Sequence, residues 1–196
     1  LEQPANSALF SQATVEIRKA QEPADFFSRM PSRDQKDWNA DLGPRIKATP
    51  NRCRLTILDS GITSGHPLLE NFISRNDCHS VQESWGIHDT HQHGTLQAGL
   101  ALYGDLTGPL SNLDSIIIDH SLESVKLIAP ADSAEQNENF GLETQQAVAL
   151  VEIERPNFPQ RVFCLSVTGK KIPDQGRPTG WSSSIDRLCF DSNRLF

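Results

Sequence analysis

The sequence predicts an α/β fold: a mainly parallel, doubly wound sheet flanked by helices, preceded by an N-terminal helical arm. Three observations point there. Short β-rich runs alternate with helix-patterned segments from residue 53 onward, which calls for crossover connections and parallel neighbours. The run Val162–Val167 (VFCLSV) is continuously apolar, as a strand covered on both faces must be. Residues 94–104 (GTLQAGLALYG) mix small and apolar side chains in the manner of a buried helix, with Gly104 placed to end it.

Taken in order, residues 1–48 read as the arm and 49–196 as the α/β domain. In the arm, Leu9, Phe10, Ala13, Ile17 and Ala20 recur near helical spacing until Pro23 stops the run. Ser32 with Gln35 is a capping-box pattern, opening a short polar helix that buries Trp38 and Leu42. Pro44 and Pro50 punctuate the passage onward. Cys53–Leu58 is β-rich and closes on the turn signal Asp59-Ser60-Gly61. Ser115–Asp119 and Ser124–Ile128 read as two short strands, and residues 131–139 as a polar loop. Residues 142–154 form an amphipathic helix ended by Pro156. Trp181, Ile185, Leu188 and Cys189 keep helical spacing in a last helix, and Arg194-Leu195-Phe196 reads as the opening of a further strand.

Composition removes several classes of function. The chain has 196 residues, 18 basic against 25 acidic, for a formal charge of −7. With 37% hydrophobic and 22% charged residues it is a folding globular sequence. No window approaches the roughly 18 uninterrupted apolar residues of a membrane span. No Lys/Arg cluster marks a nucleic-acid surface. The N-terminus lacks the basic start and apolar run of a secretory signal. Cys53, Cys78, Cys164 and Cys189 form no CxxC pair, and they read as reduced structural thiols in a cytoplasmic setting, with one or two disulfides as the alternative.

Two residues carry the chemistry. Asp59 directly follows an apolar strand, where parallel sheets bind ligands, although a turn aspartate has the same local look. His93 stands at the mouth of the buried helix, where a capping histidine is the plain alternative. Together, ILDSGI and HGTLQAG resemble the first two catalytic motifs of the subtilisin-like serine proteases, the subtilases. In that family an apolar strand ends in Asp-Ser/Thr-Gly, and the histidine opens a helix within His-Gly-Thr-x-x-Ala-Gly. Order and spacing also agree.

The resemblance covers residues 53–196 and implies a serine endopeptidase working through an Asp-His-Ser triad. A serine hydroxyl needs a neutral imidazole to take its proton, and a carboxylate on the other ring nitrogen to hold the tautomer. His93 takes the first role and Asp59 the second. Gly65-His66-Pro67-Leu68-Leu69 falls where subtilases carry a His-Pro-x-Leu segment. The family also implies two substrate-binding edges, one near Phe140 and Gly141, the other at Ser166, Val167 and Thr168. Between them an extended peptide adds as a strand. Thr168 stands where a glycine is usual, and Gln92 replaces the glycine that commonly precedes the histidine.

Two family segments are missing from these 196 residues: the nucleophile motif Gly-Thr-Ser-x-Ala-x-Pro and the Ala-Gly-Asn segment of the oxyanion site. The expectation is that both lie beyond Phe196 and that residues 1–196 alone are inactive. Ser182, Ser183 and Ser184 read as helix caps. The chemistry requires no cofactor, while the family allows structural calcium. Expected partners are a peptide or protein substrate, with room for an ATPase partner, and an unpaired sheet edge invites self-association. Two alternatives compete. One is a protease-like scaffold that binds without cleaving. The other is a metallohydrolase built on His88, Asp89, His91 and His93, although Thr95 and Leu96 occupy positions where such a motif needs Asp and His.

Overall fold

The longest strand occupies the middle of the sheet, because both of its faces find apolar cover. The structure, a computed structural model, describes residues 30–137, 139–156, 160–169 and 176–196. Strand β1 spans Ile46–Asp59, β2 Cys78–Ser80, β3 Ile116–Lys126 and β4 Arg161–Cys164. Their order is β2-β3-β1-β4, and every pairing is parallel. Leu195 adds a fifth parallel position by bridging to Val162, which agrees with the strand opening expected at Arg194-Leu195-Phe196.

Five α-helices are described: α1 Ser32–Leu42, α2 His93–Tyr103, α3 Thr107–Leu110, α4 Phe140–Glu154 and α5 Gly180–Ser192. Successive strand residues point to opposite faces, so β1 and β3 feed two cores. On one face Ile57 and Leu122 pack with Ala98 and Leu102 of α2. On the other, Leu58, Val125 and Phe163 pack with Ala147, Val148 and Val151 of α4. Helices on both faces of a parallel sheet make the fold α/β and doubly wound, as the alternation of segments predicts.

Several local expectations need correction. β1 starts at Ile46 rather than Cys53, and its pairing with β3 slips between Ala48 and Cys53, around Pro50, which has no N–H to give a ladder. The two strands expected at Ser115–Asp119 and Ser124–Ile128 are one strand, because the residues between them stay in register with β1, His120 bonding Ala101 O at 3.2 Å and Glu123 turning into a buried ion cluster. β4 ends at Cys164, short of Val167. In α1 the Gln35 side chain donates to Met30 O at 2.9 Å, which ties the first turn back to the residues before it. α5 is capped by Thr179, whose hydroxyl accepts from Ser182 N–H at 3.1 Å, while Ser183 and Ser184 bond back to Thr179 O and Gly180 O. The helix expected from Leu9 to Ala20 lies outside the described residues. All four cysteines are unpaired thiols, and burial pushes that of Cys78 up to about 11. Among the described residues no helix is long and apolar enough to cross a membrane.

Glu123 explains why β3 is continuous. Its side chain is fully buried, with 0% of its surface exposed. It accepts from Thr56 Oγ1 at 2.8 Å and from Arg161 at 2.8 and 3.3 Å. Arg54 reaches Glu123 at 3.5 Å and Asp77 at 2.6 Å. Burial raises the Asp77 carboxyl, but hydrogen bonds from Ser74 and Arg54 outweigh it and hold the group below its usual range. A buried ion cluster of this kind is costly to break from one side, since the remaining charges stay in low dielectric. Glu123→Ala is therefore expected to destabilise the fold by about 3–5 kcal/mol, read from urea unfolding. A loss under about 1 kcal/mol, the scale of an exposed pair, would mean that water reaches the cluster.

Candidate active site

The sheet delivers one carboxylate and one helix delivers one imidazole to the same spot. β1 ends at Asp59, buried to 2% exposure, whose carbonyl accepts from Leu127 N–H at 2.6 Å and Ile128 N–H at 3.2 Å. These bonds fix the strand end against the chain leaving β3. α2 begins at His93. His93 Nδ1 lies 2.9 Å from Asp59 Oδ1 and 2.8 Å from Oδ2. The carboxylate is sealed and the imidazole is 48% exposed. A carboxylate accepts, so the neutral ring keeps its proton on Nδ1 and offers the Nε2 lone pair.

The glycines beside each residue are required by contact. A Cβ on Gly94 would sit 2.1 Å from Gly61 O and 3.4 Å from Asp59 Cβ. Gly61 has φ +95°, and its own Cβ would meet Ile87 O at 2.7 Å. The turn after Asp59 and the start of α2 thus press backbone on backbone, which brings ring and carboxylate into range. Gln92, just before the histidine, adopts left-handed φ 64°. Only glycine takes that region without steric cost, so the preference for glycine there has a conformational cause.

A profile of the Subtilase family matches residues 51–196. The chain belongs to the subtilase family. Searches of curated proteins and of solved structures gave no match. The subtilase profile begins inside β1 and takes in the sheet, Asp59 and His93 together, so its match and the geometry concern the same part of the molecule.

In this subtilase the other expected site residues fall out differently. Cys164 of β4 pairs with Ile57, so Leu165–Thr168 leave the sheet at the level of Leu58 and Asp59. Ser166 and Thr168 are exposed there, and Val167 is half-buried. Phe140 and Gly141, expected to offer backbone to an extended ligand, open α4. Asn139 caps them by accepting from Leu142 N–H at 3.1 Å. The Phe140 ring stacks on Trp181 with centroids 4.8 Å apart, and a Cβ on Gly141 would meet Ser184 Oγ at 2.8 Å. Both residues serve the close approach of α4 and α5. Of the three serines read as caps, Ser184 faces that helix contact, while Ser182 and Ser183 are exposed and bond Thr179. Among the described residues no three His, Cys, Asp or Glu side chains converge as metal ligands, and His91 Nδ1 lies against Thr90 Oγ1.

Sequence reasoning missed three supports of the site. Lys126 Nζ, fully buried, donates to His88 O at 2.7 Å and Trp85 O at 3.3 Å. Burial lowers the Lys126 ammonium below its ordinary range, against the pull of Asp89 and Asp132. Asn137 ties the polar loop to the end of β3: its amide donates to Leu127 O at 2.7 Å and to Glu143, and its oxygen accepts from Ala129 N–H. Asp89, weighed in the sequence as a member of the metallohydrolase alternative, is a four-bond acceptor. Burial raises its carboxyl, but bonds from Thr95, Ser60 and His91 prevail and hold it below the usual carboxylate range. A lysine inside the apolar run expected at Ser124–Ile128 was the only trace of the first. Asn137 left none, and nothing around Asp89 pointed to its four donors.

Proposed function

We propose that the chain is the Asp-and-His part of a subtilisin-type serine endopeptidase, completed by a serine in polypeptide that follows Phe196. The Asp59–His93 pair carries this reading. His93 takes the proton of the serine hydroxyl at Nε2 as the hydroxyl attacks the scissile carbonyl, then returns it to the leaving amine. Asp59 holds the Nδ1–H tautomer and stabilises the imidazolium between those steps. Leu165–Thr168, leaving the sheet beside Asp59, suits a main-chain edge for an extended peptide, with Ser166, Val167 and Thr168 bounding the pocket before the scissile bond. The reaction needs no cofactor.

The surface of α2 adds independent support. Leu96 and Leu100 lie three and seven residues after His93, on the same helical face, and are 70% and 61% exposed. A leucine ladder bare to water, directly below the imidazole, suits a face on which the element bringing the hydroxyl packs.

The test compares residues 1–196 with the product extended through the downstream reading frame. The extended protein is expected to hydrolyse peptides and to form a covalent adduct with a serine-directed phosphonate, and residues 1–196 to do neither. An adduct on residues 1–196 would place the nucleophile elsewhere. Hydrolysis indifferent to phosphonate, lost on chelation and restored by zinc, would favour the metallohydrolase instead.

A further inference from the structure

We infer that Asp89 is a positioning residue: one carboxylate that brackets the two motifs and thereby sets the geometry between Asp59 and His93. The inference rests on the reading of that pair as orienting acid and base. Asp89 Oδ1 accepts from Ser60 Oγ at 2.8 Å and from His91 N–H at 3.0 Å. Its Oδ2 accepts from Thr95 N–H at 2.8 Å and from Thr95 Oγ1 at 2.6 Å. Ser60 directly follows Asp59, and Thr95 stands two residues after His93. Ser60 Oγ also accepts from Gly94 N–H at 3.1 Å, which closes the bracket.

Asp89 supplies the acceptor that the N-cap side chain of α2 does not. Gln92, at the N-cap, makes no side-chain cap bond, so the Asp89 carboxylate satisfies the first-turn N–H of Thr95 from outside the helix. The negative charge there also faces the positive end of the helix. The main chain before Asp89 is anchored in turn, since Lys126 holds the carbonyls of Trp85 and His88. Trp85 Nε1 donates to Glu135 O at 3.1 Å. Lys126 is also the residue paired with Asp59 in the β1–β3 register. Both motifs and the adjoining strand end are thus tied through the segment from Trp85 to Asp89. A misplacement of about 1 Å between reacting groups costs on the order of 10² in rate, so a bracket of this kind bears on catalysis without touching substrate.

The test reads the His93 ring directly in the 196-residue chain, so it needs no turnover and stands apart from the assay of the protease reading. In protein labelled with ¹⁵N-histidine, at a pH where the ring is neutral, the ring shifts report which nitrogen bears the proton. The wild type is expected to hold the Nδ1–H form. Asp89→Ala is expected to move the tautomer ratio toward Nε2–H by about tenfold, the scale of one lost hydrogen bond to a charged group. Asp89→Asn, which keeps one acceptor oxygen, falls between. Leu102→Ala loosens the core under the same helix without touching the bracket, and is expected to lower Tm while leaving the tautomer in place. Should Asp89→Ala prevent folding, Ser60→Ala and Thr95→Val each remove one strut and are expected to move the ratio the same way. An unchanged His93 spectrum in folded bracket variants, or an equal change in Leu102→Ala, overturns the inference.

Discussion

In the completed peptidase, His93→Ala is expected to lower kcat by about 10⁶, the order known for subtilisin, a member of the same family, when its triad histidine is removed. The size of the effect follows from what the imidazole alone can do here. Asp59 is sealed beneath the ring, and the carboxylate of Asp89 is saturated by four donors. Neither carboxylate offers a substitute base in the position of Nε2. What survives is the residual catalysis of binding and oxyanion stabilisation, so the variant is expected to keep its KM while kcat collapses. Steady-state hydrolysis of a chromogenic peptide reads both constants. A loss of less than about 10² would mean that another group takes the serine proton.

Asp59→Asn is expected to lower kcat by about 10⁴ with little change in KM, the figure that applies to the same exchange in an unrelated serine protease. Local hydrogen bonds show why the exchange does harm even though it preserves shape. Ser60 N–H donates to Asp59 Oδ1 at 2.7 Å, so an asparagine placed here keeps its oxygen at that position. Its NH₂ group then takes the place of Oδ2, 2.8 Å from His93 Nδ1. A donor facing Nδ1 selects the Nε2–H tautomer, which cannot accept the serine proton. Raising pH would not rescue this variant, since the defect lies in where the neutral ring carries its proton. A kcat within about threefold of the wild type would remove Asp59 from the mechanism.

The pair was legible in the sequence because its geometry imposes sequence. Asp59 must end an apolar strand, His93 must open a buried helix, and each needs a glycine close by, since a Cβ at Gly61 or Gly94 would collide with backbone carbonyls. The parallel sheet was legible for a similar reason, as apolar runs such as Val162–Val167 suit strands covered on both faces, although the strand itself stops at Cys164. Elements that depend on partners far along the chain were not. β3 reads as two strands until Glu123 is seen against Arg54, Thr56 and Arg161, residues distant in sequence. The helix start at Phe140 and Gly141 was not legible either, because it turns on a single cap, Asn139, and on the Trp181 ring. Asp89 was visible as a polar residue before the histidine. Its bond to Ser60 spans a long loop, and no periodicity records it.

The central claim is that Asp59 acts only through the His93 ring, and a double-mutant cycle on kcat measures that dependence. Residues that work as one unit lose their function once, so Asp59→Asn placed on His93→Ala is predicted to leave kcat within about threefold of His93→Ala alone. If the second substitution instead multiplied the loss by anything near its own ~10⁴, the carboxylate would be acting on its own and the account of the pair would be wrong.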